Sequence, residues 1–232
     1  MKLYAIGDLH LSGTPPTKPM TVFGRHWDEH WPKIRESWQA AVTADDTVII
    51  CGDTSWAMQL ETAVADLDEL AALPGNKILL RGNHDYWWST IKKMREATGG
   101  AFHFLQNNFH AAGDVAICGT RGWNLPGSPS FRQEDEAIYK RECLRFRASL
   151  ELARAAGYKK IVAALHYPPL YCAADSSCFS ELCREYGVKS CVFGHIHGED
   201  VQNAFSGFKD GTDYRLVSAD GVAFALQEIA LS

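Results

Sequence analysis

Ile78-Leu79-Leu80-Arg81-Gly82-Asn83-His84-Asp85 is the stretch on which the reading of this chain turns. A short apolar run closes on a glycine, and an amide, an imidazole and a carboxylate follow at once. Such a run reads as a strand buried on both faces, and the glycine lets the backbone turn sharply where polar side chains must be aimed. Working outward, the same pattern recurs. Leu3 to Ile6 leads into Asp8 and His10, Val48 to Cys51 into Gly52-Asp53, Ile161 to Leu165 into His166, and Ser190 to Phe193 into Gly194-His195-Ile196-His197. A sixth run, Val115 to Cys118, leads into Gly119-Thr120-Arg121-Gly122-Trp123.

Helical patterns lie between these strands. Phe23, Trp27, Trp31, Ile34 and Trp38 recur at steps of three or four, which predicts one helix with a buried aromatic face. His26 and His30 fall on its neighbouring face, and with no third ligand nearby they read as solvated. Further helices are expected from about Leu60 to Leu73, from Ser89 to Thr98 and from Gln133 to Ala156. The last has an acidic start and a basic later half that complement the helix dipole. Toward the end, Tyr214 to Val217 and Val222 to Glu228 flank Asp220-Gly221 and predict an antiparallel hairpin. Strands alternating with helices, without a repeat or a linker, describe one α/β domain over residues 1–232.

Composition narrows the function classes. Hydrophobic residues at 46% and charged residues at 22% are ordinary globular values, which excludes disordered, collagen-like and coiled-coil chains. The net charge of -5 lacks the basic excess of a polyanion binder, so nucleic acid is not the expected partner. Asp8 and His10 interrupt the N-terminus where a secretory signal needs an apolar stretch, and no apolar run is long enough for a membrane span. The expectation is a cytoplasmic protein without a membrane partner. The sequence carries no signal for oligomeric state. Seven cysteines without a C-x-x-C pair argue for reduced thiols, with Cys51, Cys118 and Cys191 as small core hydrophobes. Cys172, Cys178, Cys183 and Cys191 form a metal or redox site only if the fold gathers them.

Five strand ends therefore deliver Asp8, His10, Asp53, Asn83, His84, Asp85, His166, His195 and His197. Any one alone reads as a helix cap or a hydrogen-bonded core group. Five together argue for one crevice, because ligands of α/β sheets bind where strands end and turns cluster side chains from distant sequence. Imidazole, carboxylate and one amide oxygen, with no thiolate, suit Mn, Fe, Zn or Ni, with Mn the expected activator. Seven ligands are too many for one tetrahedral ion but divide between two divalent ions that share a carboxylate. Such pairs, roughly 3.5–4 Å apart, clamp the attacking and leaving oxygens of a displacement at phosphorus. A bridging hydroxide is then the expected nucleophile, and a small phosphorylated compound the expected substrate.

The order Asp8-x-His10, Gly52-Asp53, Gly82-Asn83-His84-Asp85, His166 and Gly194-His195-x-His197 resembles the calcineurin-like metallophosphoesterase superfamily across nearly the whole chain. The resemblance implies two stacked mixed β-sheets flanked by helices, a four-layer α/β/β/α sandwich. It implies that Asp8, His10 and His197 hold one ion, that Asn83, His166 and His195 hold the other, and that Asp53 bridges them. It also implies that His84 is the acid protonating the leaving oxygen and that Asp85 orients it. Chemistry supports an acid there independently, since a leaving alkoxide is a strong base. The block Gly52-Asp53-Thr54-Ser55-Trp56 lacks the second acidic residue and the arginine of the superfamily's protein phosphatases. His84 separates the chain from the branch acting on lipid A precursors, which carries arginine there.

The expected activity is hydrolysis of phosphate monoesters or diesters. The alternative is a catalytically silent metal-binding scaffold for protein partners, which would be free to lose the acid or a ligand. No G-x-x-x-x-G-K-[ST], H-E-x-x-H or G-x-S-x-G motif is present, which removes nucleotide-loop, zincin and serine-hydrolase readings. Arg121 is a candidate contact for a substrate phosphate. Trp56, Tyr86, Trp87, Trp88 and Trp123 stand beside the site blocks, either as a wall for a planar group or as wedges holding loops.

Overall fold

The structure, a computed structural model, describes residues 1–230. Its strands are β1 (Leu3–Ile6), β2 (Thr47–Ile50), β3 (Asn76–Leu80), β4 (His103–Leu105), β5 (Phe109–Ala112), β6 (Val115–Thr120), β7 (Lys160–Leu165), β8 (Ser190–Phe193), β9 (Gly207–Lys209), β10 (Thr212–Leu216) and β11 (Gln227–Glu228). The helices are α1 (His30–Ala41), α2 (Leu60–Ala71), α3 (Ile91–Ala97), α4 (Asp135–Ala155) and α5 (Cys178–Tyr186). One sheet runs β11-β1-β2-β3-β4 and the other β5-β6-β7-β8-β10-β9. Strands β1 to β4 are parallel, with Leu3 opposite Thr47 and Ile49 opposite Ile78. Strands β6, β7, β8 and β10 are likewise parallel, and β5, β9 and β11 add antiparallel edges.

Alternation along each strand explains why the runs read as continuously apolar. Leu3, Ala5, Ile49 and Cys51 point inward and meet Val115, Ile117, Val162 and Val192 of the other sheet. Tyr4, Ile6, Val48 and Ile50 point outward onto Ile34 and Trp38 of α1 and Leu67 and Leu70 of α2. On the far side Ala116, Cys118, Ala163 and Leu165 pack under Phe146 and Leu150 of α4 and Phe179 of α5. Both faces of both sheets are covered, which gives the four-layer sandwich. Cys51, Cys118 and Cys191 are fully buried in it. Lys77, also buried, caps the end of α2 by donating its Nζ to the carbonyls of Ala71, Leu73 and Gly75. Among the described residues no helix is long and apolar enough to cross a membrane.

Three expectations need correction. The periodic stretch from Phe23 to Trp38 is not one helix, since α1 starts at His30, after Glu29 in a left-handed conformation (φ 51°), and two 3-10 turns precede it. Trp27, Ile34 and Trp38 are buried as the stripe predicts, but Phe23 is 55% exposed. His26 and His30 accordingly do not share a helix face, and His30 Nε2 lies 3.1 Å from the Leu9 carbonyl oxygen. The hairpin around Asp220-Gly221 does not form either. Ala223 and Phe224 take φ of 51° and 60°, and Phe224 turns back onto Trp27 with ring centroids 5.2 Å apart. β10 stays in the six-stranded sheet while β11 crosses to β1. The actual hairpin joins β9 and β10 through Asp210-Gly211, whose φ of 50° and 88° are those of the tight turn that suits twisted strands.

Helix α5 was not anticipated. Its start carries a capping box, with the Ser180 amide donating to Ser177 Oγ at 3.2 Å and the Ser177 amide to Ser180 Oγ at 2.9 Å. The four cysteines of that region do not converge on a metal. Cys172 is exposed, Cys183 and Cys191 are buried, and all are free thiols.

Candidate metal centre

The strand ends do not stop pairing when the sheets stop. The Asp8 amide donates to the Gly52 carbonyl at 2.8 Å, His10 to Asp53 at 2.9 Å and Leu11 to Thr54 at 3.0 Å. The Gly194 amide donates to His166 at 3.1 Å, and Gly7 and Ala219 exchange bonds with Val217 and Gly7. These bonds draw the turns of both sheets into one crevice. Asp8, His10, Asp53 and His195 sit there with φ between 48° and 73°. Left-handed backbone costs a non-glycine residue roughly 1–2 kcal/mol, and it persists where surrounding contacts over-determine it. Gly82 and Gly194 have a different role, since a Cβ on Gly82 would strike the Asp53 carboxylate and one on Gly194 that of Asp8.

All seven proposed ligands meet. Asp8, His10 and His197 present ligand atoms within 4.8 Å of one another, and so do Asp8, Asp53 and His166. His197 Nε2 is 3.3 Å from Asp8 Oδ1. Asp53 Oδ2 stands between His10 Nε2 at 3.9 Å and His166 Nε2 at 3.7 Å. Asn83 Oδ1 faces His166 Nε2 at 2.7 Å and His195 Nδ1 at 2.9 Å. Asp8 is thus common to both compact groups, while Asp53 lies between one ligand of each proposed ion.

The site suits cations. Burial and then the neighbouring charge of Asp8 push Asp53 up to about 8. Burial would raise Asp8 too, but His197, with His166 and His10 behind it, holds that carboxyl below the usual range. Burial lowers His10 and His166, and with His166 beside it brings His195 down to about 3, so these rings are neutral and have lone pairs to offer. Burial opposes a charge on His197, yet Asp8 and Asp220 hold it up to about 10. The sharpest fit lies at His166. Its Nδ1 donates to the Cys51 carbonyl at 2.9 Å, which leaves Nε2 a bare lone pair facing the oxygens of Asn83 and Asp53. Acceptors converging without a proton between them are what a divalent cation reconciles.

Four of these residues, His10, Asp53, His195 and His197, line a cavity of about 320 Å³. His84 lines it, with its ring centroid 5.9 Å from that of His10. Asp85 does not orient His84 through a hydrogen bond. Its Oδ1 accepts from the amides of Thr54 and Ser55 and from Trp87 Nε1, and its Oδ2 from the Gly82 amide. Four donors converge on this fully buried carboxylate, so it fixes the loop carrying Asn83 and His84. Burial, and after it the His166 ring close by, lower the proton affinity of His84 below that of an ordinary imidazole. Arg121 does not face the metal cavity. It stacks over Trp123 at 4.3 Å and lines a separate chamber.

Of the aromatics beside the blocks, only Trp56 faces the cavity, stacked on His10 with centroids 4.6 Å apart and planes at 19°. Trp87 and Trp88 are buried wedges, and Trp123 donates to Asp135 at 2.8 Å. The rest of the apolar wall is Met20 together with Phe23 and Trp27, the last two from the stretch read as a core helix. Asp220 was missed altogether. Its Oδ1 is 2.8 Å from His197 Nδ1 and its Oδ2 accepts from the Gly198 amide at 2.9 Å. The signal was present in Asp220-Gly221, but a turn absorbed it.

A family model described as calcineurin-like phosphoesterase matches residues 1–199. The chain is similar in structure to the calcineurin-like phosphoesterase YfkN from Bacillus subtilis, with a TM-score of 0.51 and 14% identity over 94% of this chain and 80% of that one. It also aligns with the protein of unknown function AQ665 from Aquifex aeolicus, with a TM-score of 0.46 and 14% identity over 98% and 95% of the two chains. No curated protein matches the sequence.

Proposed function

The chain belongs to the calcineurin-like phosphoesterase family, and from that premise we propose that it is a two-metal hydrolase of small phosphate monoesters or diesters with an apolar or aryl leaving group. The observation that carries this reading is the convergence of the His166 lone pair with the oxygens of Asn83 and Asp53, beside a second carboxylate-imidazole group, next to a cavity that Asp53, His10, His195 and His197 help to line. Bound divalent cations, with manganese the expected activator, supply Lewis acidity toward the phosphoryl oxygens and the attacking water. Asp8, His10 and His197 would hold one, Asn83, His166 and His195 the other, with Asp53 between.

His84 stands on the cavity wall where a departing oxygen can be protonated. Its lowered proton affinity makes it depend on an anionic phosphate beside it to take up the proton that it then delivers. Met20, Phe23, Trp27 and Trp56 face the ester's organic side and exclude water from it. A protein-binding scaffold would have no use for such an equipped cavity.

The test is a screen of manganese-loaded protein against aryl phosphate mono- and diesters, with metal content measured in parallel. Turnover that disappears in His166→Ala along with bound metal is the expected result. Two bound metals without turnover of any ester would transfer the reading to the scaffold.

A further inference from the structure

The metal centre does not use the whole crevice between the sheets. One step along, past the ends of β3, β4 and β6, lies a second chamber of about 290 Å³ lined by Arg81, Arg121, Arg141 and Arg145. The same lining holds one buried carboxylate, Glu142. That carboxylate is already committed, since Oε1 accepts from Arg145 at 2.7 Å with Arg141 Nε at 3.7 Å, and Oε2 accepts from Thr120. Arg81 and Arg121 make no ion pair among the described residues, and Arg81 Nε is buried without any hydrogen-bond partner. Guanidinium groups stay protonated in proteins, so the half-buried Arg81 and Arg121 leave an excess of positive charge that Glu142, already bonded to Arg145 and Thr120, does not neutralise. Removing such groups from water without an anion is costly.

We infer that this chamber is a second anion site, built to take a phosphate-class oxyanion on Arg81 and Arg121 with Arg141 and Arg145 at its mouth. The planar fork of arginine matches two phosphate oxygens at once. The side chains of Arg141 and Arg145 are 51% and 35% exposed, so the chamber is open to solvent. Its placement is tied to the metal centre by backbone. Arg81 is two residues before Asn83, and the Arg121 carbonyl accepts the amides of His166 and Tyr167, each at 3.0 Å. The anion is therefore either free phosphate or a second phosphoryl group on the substrate itself.

Calorimetric titration of the metal-loaded protein with inorganic phosphate tests the site without requiring turnover. Two phosphate equivalents per chain are expected, one of them weakened at least tenfold in Arg81→Gln, whose Nε has no protein partner to lose, and in Arg145→Gln, which keeps a donor for Glu142. A single equivalent in the parent protein, or two unchanged equivalents in both folded variants, would overturn the inference. Kinetics with phenyl phosphate and phenylene bisphosphate identify the source of the anion. A KM for the bisphosphate at least tenfold lower, with the advantage lost in Arg81→Gln, supports the substrate's own second phosphate. Equal KM values with two equivalents still bound support free phosphate. Absence of turnover of either ester would count against the hydrolase reading and leave the binding result standing.

Discussion

Asp220 Oδ1 lies 2.8 Å from Nδ1 of His197, while the other nitrogen of that ring faces Asp8 Oδ1 at 3.3 Å. The imidazole is held between two carboxylates, and the contact with Asp220 fixes its position and tilt. Asp220 is 3% exposed at its side chain, so this anchor acts away from bulk water.

Carboxylates behind a ligating histidine typically govern metal affinity by about 10–100-fold. Asp220→Ala is expected to weaken binding of one metal by that factor in a competition titration while leaving the far-ultraviolet spectrum unchanged. Unaltered affinity would mean that His197 needs no anchor.

His84→Ala is expected to slow esters with poor leaving groups by about 10²–10⁴-fold and activated aryl esters much less. A plot of log kcat against leaving-group pKa should steepen in the variant. Parallel lines for the two proteins would remove the acid role.

Gly82→Ala tests the close approach between two ligand loops. The added methyl would displace the Asp53 carboxylate, so metal stoichiometry measured by elemental analysis should drop while the thermal transition remains cooperative. Full occupancy in this variant would show that the loops can yield.

Trp56→Ala removes the ring stacked on His10. Stacking of this kind contributes about 0.5–1.5 kcal/mol, so KM for aryl phosphates should rise about 2- to 10-fold and that for glycerol phosphate should change little. An equal rise for both would place Trp56 in support of the metal ligands instead of the leaving group.

Asp46 offers a pH prediction away from the centre. It accepts from the Lys2 amide at 2.6 Å and from the Thr43 amide and hydroxyl, each at 2.8 Å, and these bonds hold its carboxyl below the ordinary aspartate value of 3.8. With the folded value below the unfolded one, the contribution is present above 3.8 and is lost as pH falls through the folded value. Asp46→Ala should therefore cost about 1–3 kcal/mol at neutral pH, and urea unfolding should show the gap narrowing in acid. A gap independent of pH would assign the loss to packing.

Chemistry written within a few residues of a strand was legible without coordinates. Short apolar runs have to be buried, and polar groups placed immediately after them have to emerge at a sheet end, so Asp8, Asp53, Asn83 and His166 announced a shared crevice from local sequence alone. Relationships set by long-range packing were not legible. Phe224 turned back onto Trp27 and dissolved the expected hairpin, which carried Asp220 to His197. Asp85 spent its oxygens on four donors instead of on His84, and the arginines at 81, 121, 141 and 145 converged from a strand end, a turn and a helix that are far apart in the chain. Local pattern fixes what each segment must bury, while only the packed sheets decide which distant side chains end up facing one another.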